Sequence, residues 1–321
     1  MSLFPLRLIP ATPSIDFMRL RWVAIGVTVL LMVAAMGLMV FKGFNYALDF
    51  TGGTVIELRY DKPADIDAVR ERLESSGYAG AQVQTFGTGS DLLVRLQPRD
   101  GKTDAEASNR TAQEVLAAAA TSDNPAQIVR NEFVGPQVGR ELAMNGIYAL
   151  IFVLVGFLIY IGFRFEWKFA VVAIITTLFD VLVVAGYFSF SGREFDLTVL
   201  AGLLSVMGFS INDTIVVFDR VRENFRGMRA DPITILNTSI NQTLSRTIIT
   251  SVAAFLTVLA LYIYGGGSLA GMSEAMMIGI VIGTISSICV ACPLLTIGVL
   301  KVTKQDLMPK SRDDSALARR P

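Results

Sequence analysis

LTVLAGLLSVMGFSINDTIVVF, residues 197–218, is long and apolar enough to cross a bilayer, yet it carries Asn212 and Asp213 side by side. A crossing helix needs roughly 20 apolar residues, and a carboxylate in hydrocarbon is costly. The stretch is not alone. Residues 22–41, 143–163, 169–190, 248–267 and a long segment around 272–300 read the same way. The 321-residue chain is 52% hydrophobic and only 17% charged, a balance that soluble cores of this length rarely have. We therefore expect a polytopic α-helical membrane protein with six transmembrane helices. The first span reads as a retained signal anchor, because its apolar run is long, no small-residue cleavage pattern follows it, and five more spans come after it.

The formal net charge is zero, but the charge is unevenly placed. Arg7, Arg19 and Arg21 precede the first span, and Arg164 and Lys168 fill the second-to-third connection. Arg220, Arg222, Arg226 and Arg229 follow the fourth span, and six Lys or Arg residues follow the sixth. By the positive-inside rule these connections and both termini are cytoplasmic. The reading gives a cytoplasmic segment over 1–21, a first span over 22–41 and an external domain over 44–141. The other five spans fall within 143–300, and a cytoplasmic tail, expected to be disordered, occupies 301–321.

The external domain changes its hydrophobic period several times. GTVIELRY (53–60) alternates like a strand, and PADIDAVRERLESSG (63–77) has helical spacing at Ile66, Val69 and Leu73. AQVQTFG and DLLVRLQ (81–97) read as two strands, 103–120 as a helix, and AQIVRNEF (126–133) as a strand. The order is βαββαβ, the ferredoxin-like α+β pattern. Gly52-Gly53 is no phosphate loop, since neither a helix nor a Lys-Ser/Thr pair follows it. It reads as a structural turn leading out of the membrane. A gripping or binding module suits this domain, and a purely structural cap is the alternative.

There is no histidine in the chain. Ser-His-Asp and Cys-His catalysis and histidine-ligated metals are thereby excluded, and no enzyme activity is expected. Cys289 and Cys292 lie inside the last span as CVAC. A metal site needs about four ligands, so they read as small apolar filler, and no metal or other cofactor is expected.

Four ionisable residues fall within or at the margins of the spans: Asp180, Asp213, Arg246 and Glu274. Glu274 is expected to lie near the external end of its helix, reaching headgroups. Asp180 is the deepest carboxylate, with Thr176 and Thr177 one turn before it. Asp213 is seven residues from Arg220, roughly 10 Å along a helix. It either leans toward water and holds a helix pair, or takes part in ion movement with Asn212 and Ser210. Its expected partner is Arg246, on a stripe of Ser239, Gln242, Thr243, Arg246 and Thr250. Proton gain and loss at Asp213 would break and make that pair. An intramembrane aspartyl protease built on Asp180 and Asp213 is disfavoured, because the two lie roughly 8 Å apart in depth.

LDFTGGTVIE (48–57), EFVGPQVG (132–139), GFRFEW (162–167), INDTIVVFDRVRENFR (211–226) and NQTLSRTIITS (241–251) together resemble the SecF side of the SecD/SecF family. That family belongs to the resistance-nodulation-division superfamily, and the resemblance covers about 15 to 300. It implies a six-helix half of that superfamily's membrane architecture in the bacterial inner membrane. The implied partners are SecD, the SecYEG channel, YajC and an unfolded preprotein on the periplasmic side, with no nucleic acid. The implied function uses the proton-motive force to complete preprotein translocation. Asp213 then matches the family's proton-path aspartate, Arg246 and Thr250 match its arginine and threonine, and Asp180 falls where an aspartate also recurs. Where many relatives are expected to carry histidine, this chain has Ser245. H⁺ is the expected coupling ion and Na⁺ the alternative, since a carboxylate beside hydroxyls and an amide could serve either. Half of a small-molecule or lipid exporter is the competing function.

Overall fold

The computed structural model describes residues 14–78, 81–86, 90–96, 105–121, 123–303 and 306. Arg7 and most of the 301–321 tail lie outside the described residues, as do positions 87, 97 and 103–104 at the edges of the expected strands and helix. In chain order the elements are a 3₁₀ turn Phe17–Leu20, α1 Arg21–Phe41, β1 Asn45–Tyr46, α2 Leu48–Thr51, β2 Gly53–Tyr60 and α3 Ile66–Ser75. Next come β3 Gln82–Phe86, β4 Asp91–Leu96, α4 Ala105–Ala119, β5 Ala126–Val134, α5 Pro136–Arg164 and α6 Trp167–Ser191. The last are β6 Glu194–Phe195, α7 Leu197–Gly227, α8 Pro232–Tyr264, α9 Gly267–Cys289 and α10 Ala291–Leu294. The chain divides into two compact units. One comprises 1–43, 151–192 and 201–321; the other comprises 44–150 and 193–200.

The first unit is helical. Six helices are long and apolar enough to cross a membrane, which makes this a multi-pass membrane protein. The hydrophobic windows of α6 and α7 are more than half buried and that of α9 is half buried, whereas those of α1, α5 and α8 are mostly exposed. The three inner helices hold Asp180, Asp213 and Glu274. Small residues allow the close approach this needs: a Cβ on Gly186 would meet Ala35 of α1, and one on Gly202 would meet Met272 and Ala275 of α9. At one end Phe169 and Phe218 meet edge-to-face at 5.1 Å, in a core with Phe165, Phe225, Ile235 and Leu236.

The expected sixth span, around 272–300, is corrected at both ends: α9 starts at Gly267 and stops at Cys289. The helix ladder breaks at Val290, just before Pro293, which has no N–H to donate and disfavours helix in the residues leading to it. α8 starts sixteen residues before the apolar stretch at 248. Asp231 caps it, accepting the Thr234 N–H at 3.1 Å, and Pro232 occupies its first turn. These hydrogen bonds hold the Asp231 carboxyl below its ordinary range.

The polar first turns of α8 are used by the N-terminal segment. The Asn241 side chain donates to Ile15 O at 2.8 Å and accepts from Ile15 N at 3.0 Å. Asn237 Oδ1 accepts from Phe17 N at 2.9 Å and Met18 N at 3.3 Å, and Met18 is buried. Asn241→Leu removes both bonds to Ile15 and leaves two backbone groups unpaired, a cost on the order of 1 kcal/mol each. Cleavage by trypsin after Arg19 in detergent-solubilised protein is expected to accelerate severalfold, about what that cost permits; an unchanged rate would show that Asn237 holds the segment alone.

In the second unit β2 buries Thr54, Ile56, Leu58 and Tyr60 on one face, the period of a strand covered on one side. α3 and α4 cover it through Val69, Leu73, Ala112 and Val115. The sheet order is β3-β4-β2-β5, every neighbour antiparallel. A separate parallel pair joins β1 to β6, with Asn45 opposite Glu194 and Tyr46 opposite Phe195.

Candidate functional site

Asp180 is fully buried on α6 and accepts a short hydrogen bond from the Ser210 hydroxyl of α7. Ser286 of α9 also acts on it, while its Oδ1 receives no hydrogen bond from the protein. Asp213, three residues beyond Ser210, is 3% exposed. Its Oδ2 likewise receives no hydrogen bond, and the buried Thr214 and Thr247 hydroxyls have no partner either. Ser251 faces Asp213 and Arg246 acts on it electrostatically. By geometry, however, the Ser251 hydroxyl is engaged elsewhere, 2.7 Å from Thr247 O and 2.7 Å from Thr284 Oγ1. Two carboxylates thus share one buried polar seam across α6, α7, α8 and α9, each with an oxygen that the protein does not serve.

The direct Asp213–Arg246 ion pair expected from sequence is not formed. Among the described residues no carboxylate lies within 4.0 Å of Arg246, whose side chain is exposed. The expected stripe on α8 divides: Ser239 and Thr243 are buried, and Gln242, Arg246 and Thr250 are exposed. Seven residues make about two turns, so Ser239 and Arg246 do share a face. Only the first part of that face is covered, where Asn224 of α7 donates to Ser239 at 2.9 Å and Gln242 at 2.9 Å. Asn212 is exposed on α7. Thr250 bonds back to its own helix, 3.0 Å from Arg246 O, the ordinary device by which a hydroxyl tolerates an apolar setting.

Glu274 is corrected. It is buried, 7% exposed, and accepts a hydrogen bond from Tyr187 of α6 at 2.6 Å. With α9 beginning at Gly267, it sits two turns inside the helix and faces a neighbour. The hydroxyls of Ser251, Thr284 and Ser286 went unread in the sequence, because Ser and Thr in a helix carry no charge signature. The four-residue spacing of Ser239, Thr243, Thr247 and Ser251 was the available signal. Among the described residues no group of acidic or cysteine side chains is arranged to hold a metal, and both cysteines are free thiols, Cys292 buried.

The Gly-Gly turn is exact in its demands. Gly52 has φ 70° and ψ 169°, and Gly53 has φ 128°; a Cβ on Gly53 would run into the Leu96 carbonyl oxygen. This turn lies in a segment, residues 37–64, that matches the family model for the SecD/SecF GG motif. Residues 114–300 match the model for the C-terminal region of the protein export membrane proteins SecD/SecF. The chain belongs to the SecD/SecF family. Protein translocase subunit SecF of Pseudomonas aeruginosa is 47% identical over 303 residues, covering 94% of this chain and 96% of that one. SecF of Escherichia coli O157:H7 is 46% identical over 280 residues, covering 87% and 86%. SecDF of Brucella abortus is 38% identical over 94% of this chain, which spans 39% of its length. Among solved structures, SecDF of Thermus thermophilus aligns with TM-score 0.81 at 38% identity, covering 91% of this chain and 39% of that one. SecDF in a super-membrane-facing form aligns at 0.66 with the same identity and coverage.

Proposed function

We propose that this SecD/SecF family member acts as a SecF-type subunit of the bacterial protein-export machinery. It assembles with SecD at the SecYEG channel, with YajC as a further partner, in the inner membrane with both termini cytoplasmic. There it uses the proton-motive force to advance preproteins late in translocation. The observation that carries this reading is the half-served seam. A buried carboxylate that its own protein does not fully hydrogen-bond is unfavourable when charged, so Asp213 is suited to take up and give up an ion. Asp180, joined to the same α7 through Ser210, is the deeper station, and Asn212, Arg246 and Thr250 stand on the open side.

That open side supports SecD as the partner. Ala201, Ser205, Gly208 and Asn212 of α7, and Gln242, Arg246, Thr250, Ala253 and Thr257 of α8, are exposed. An uncovered arginine and asparagine at membrane depth are costly, and small residues permit close helix approach. Two relatives carry the SecD and SecF names in one chain of which this chain matches 39%, which is what a chain needing a second membrane half implies. Each relative named above is a translocase subunit or SecDF, so the exporter reading gains no support. We also read the four-stranded sheet and its two helices as the ferredoxin-like periplasmic module that meets the preprotein.

The test is reconstitution with SecD and SecYEG in proteoliposomes. Preprotein translocation with a limiting ATP supply is expected to rise when an inward proton gradient is imposed, and to be insensitive to Na⁺. Failure of the gradient to stimulate, or stimulation by Na⁺ alone, would overturn the proton-driven form of the reading.

A further inference from the structure

Arg95 lies on β4 among residues that alternate. Leu92, Val94 and Leu96 are buried in the core beneath α3 and α4, so Arg95 points to the opposite face of the sheet. It is buried there all the same, 8% exposed. Its guanidinium forms a short ion pair with Glu194 and donates to Tyr46 O at 3.1 Å. Glu194 opens β6, three residues before α7 begins. Burial pushes its carboxyl up, while Arg95 beside it pulls the other way.

The same short stretch is gripped four more times. Ala47 N donates to Phe195 O at 2.9 Å, and the Phe195 ring lies 4.9 Å from Phe44 and 6.0 Å from Phe50. Leu197 N, the first N–H of α7, donates to Asp49 Oδ2 at 3.1 Å. Asp196 caps the helix by accepting from Val199 N at 2.7 Å. From there α7 runs unbroken for 31 residues. The sixteen residues from Leu197 to Asp213 correspond to roughly 24 Å of helix.

We propose that Arg95 and Glu194, aided by Asp49 at the helix start, form the linkage that carries movement of the Asp213 helix into the external sheet. An ordinary loop would let α7 shift without the sheet. Here the start of α7 is bound to β4 by a buried charge pair and to α2 by a capping carboxylate, and α2 leads straight through the Gly-Gly turn into the central strand β2. Displacement or rotation of α7 therefore has a mechanical route to two strands of one sheet. Arg95 and Glu194 are positioning residues, touching neither ion nor preprotein. The inference rests on the ion-path reading of Asp213.

The test separates linkage from folding and from the ion path. A single Arg95→Met leaves a buried carboxylate unpaired and destabilises the unit, whereas Arg95→Met combined with Glu194→Met leaves no unpaired charge and often costs little. The double variant in proteoliposomes with SecD and SecYEG is expected to remain protease-resistant and to conduct protons as the unaltered protein does. It should lose gradient-stimulated export by about tenfold. Asp213→Asn is run beside it. If the double variant exports normally while Asp213→Asn does not, the linkage is overturned and the ion path stands. If a folded double variant loses proton flux together with export, the pair shapes the path itself and the linkage is equally overturned. Normal export by Asp213→Asn would overturn both.

Discussion

Asp213→Asn is expected to abolish proton-gradient stimulation of export while leaving the protein in the membrane and bound to SecD. Asparagine has nearly the volume of aspartate, so the packing around a residue 3% exposed survives. What it loses is the capacity to change charge. Oδ2 of Asp213 receives no hydrogen bond from the protein, and Thr214 and Thr247 hydroxyls stand buried without partners. An amide placed there can donate to such oxygens and needs no ion. The expected loss is about tenfold or more in gradient-stimulated rate, a barrier change of about 1.4 kcal/mol or more, with ATP-driven translocation unchanged. Inverted vesicles carrying the variant, assayed with and without an uncoupler, give both numbers. Copurification of SecD at the unaltered ratio makes the loss functional; an uncoupler effect as large as that on the unaltered protein would remove Asp213 from the path. Asp213→Glu, which keeps the carboxyl group, is expected to retain part of the stimulation.

The sequence gave away those features that rest on periodicity or on formal charge. The strand alternation of 53–60 is the observed β2, and the helical spacing at Val69 and Leu73 is the buried face of α3. Asp180 and Asp213 are conspicuous in apolar runs, and both are buried. Hydropathy misplaced helix ends where apolarity and helix part company: α8 continues through the polar turns from Pro232, and α9 stops at Cys289 although apolar residues continue. Asp231-Pro232 and Pro293 were the cues. Partner assignment failed for a different reason. Ser239, Arg246 and Thr250 share a face of α8, but a face is covered only where another element reaches it, and that information is long-range. Asn224 and residues 15–18 cover the first turns of α8. Farther along, the hydroxyls facing inward are Thr247 and Ser251, leaving Arg246 open. The Arg95–Glu194 pair joins residues 99 positions apart, and nothing local in either segment announces it.

Gly53→Ala is expected to unfold the external sheet, and the comparison with Gly43→Ala shows why. Both glycines have positive φ, 128° and 71°, and such backbone costs a side chain on the order of 1–3 kcal/mol. Around Gly43 there is open space, with no atom within 4 Å of a new Cβ, so the backbone cost is all that alanine adds. Around Gly53 the new Cβ overlaps the Leu96 carbonyl oxygen, a backbone atom that cannot rotate away. Relief requires β2 and β4 to part at the Thr54–Leu96 pair, the neighbour of Arg95 in the strand. The sheet loses ladder bonds there, and α2, which holds the start of α7 through Asp49, loses its fixed exit. Protease digestion of the external domain in intact proteoliposomes is the measurement. Gly53→Ala should be cleaved within β2–β4 at least tenfold faster than the unaltered protein, about the factor that 1.4 kcal/mol provides, with Gly43→Ala well short of that. Equal acceleration in both would mean that φ alone, and not the Leu96 carbonyl, holds position 53 to glycine.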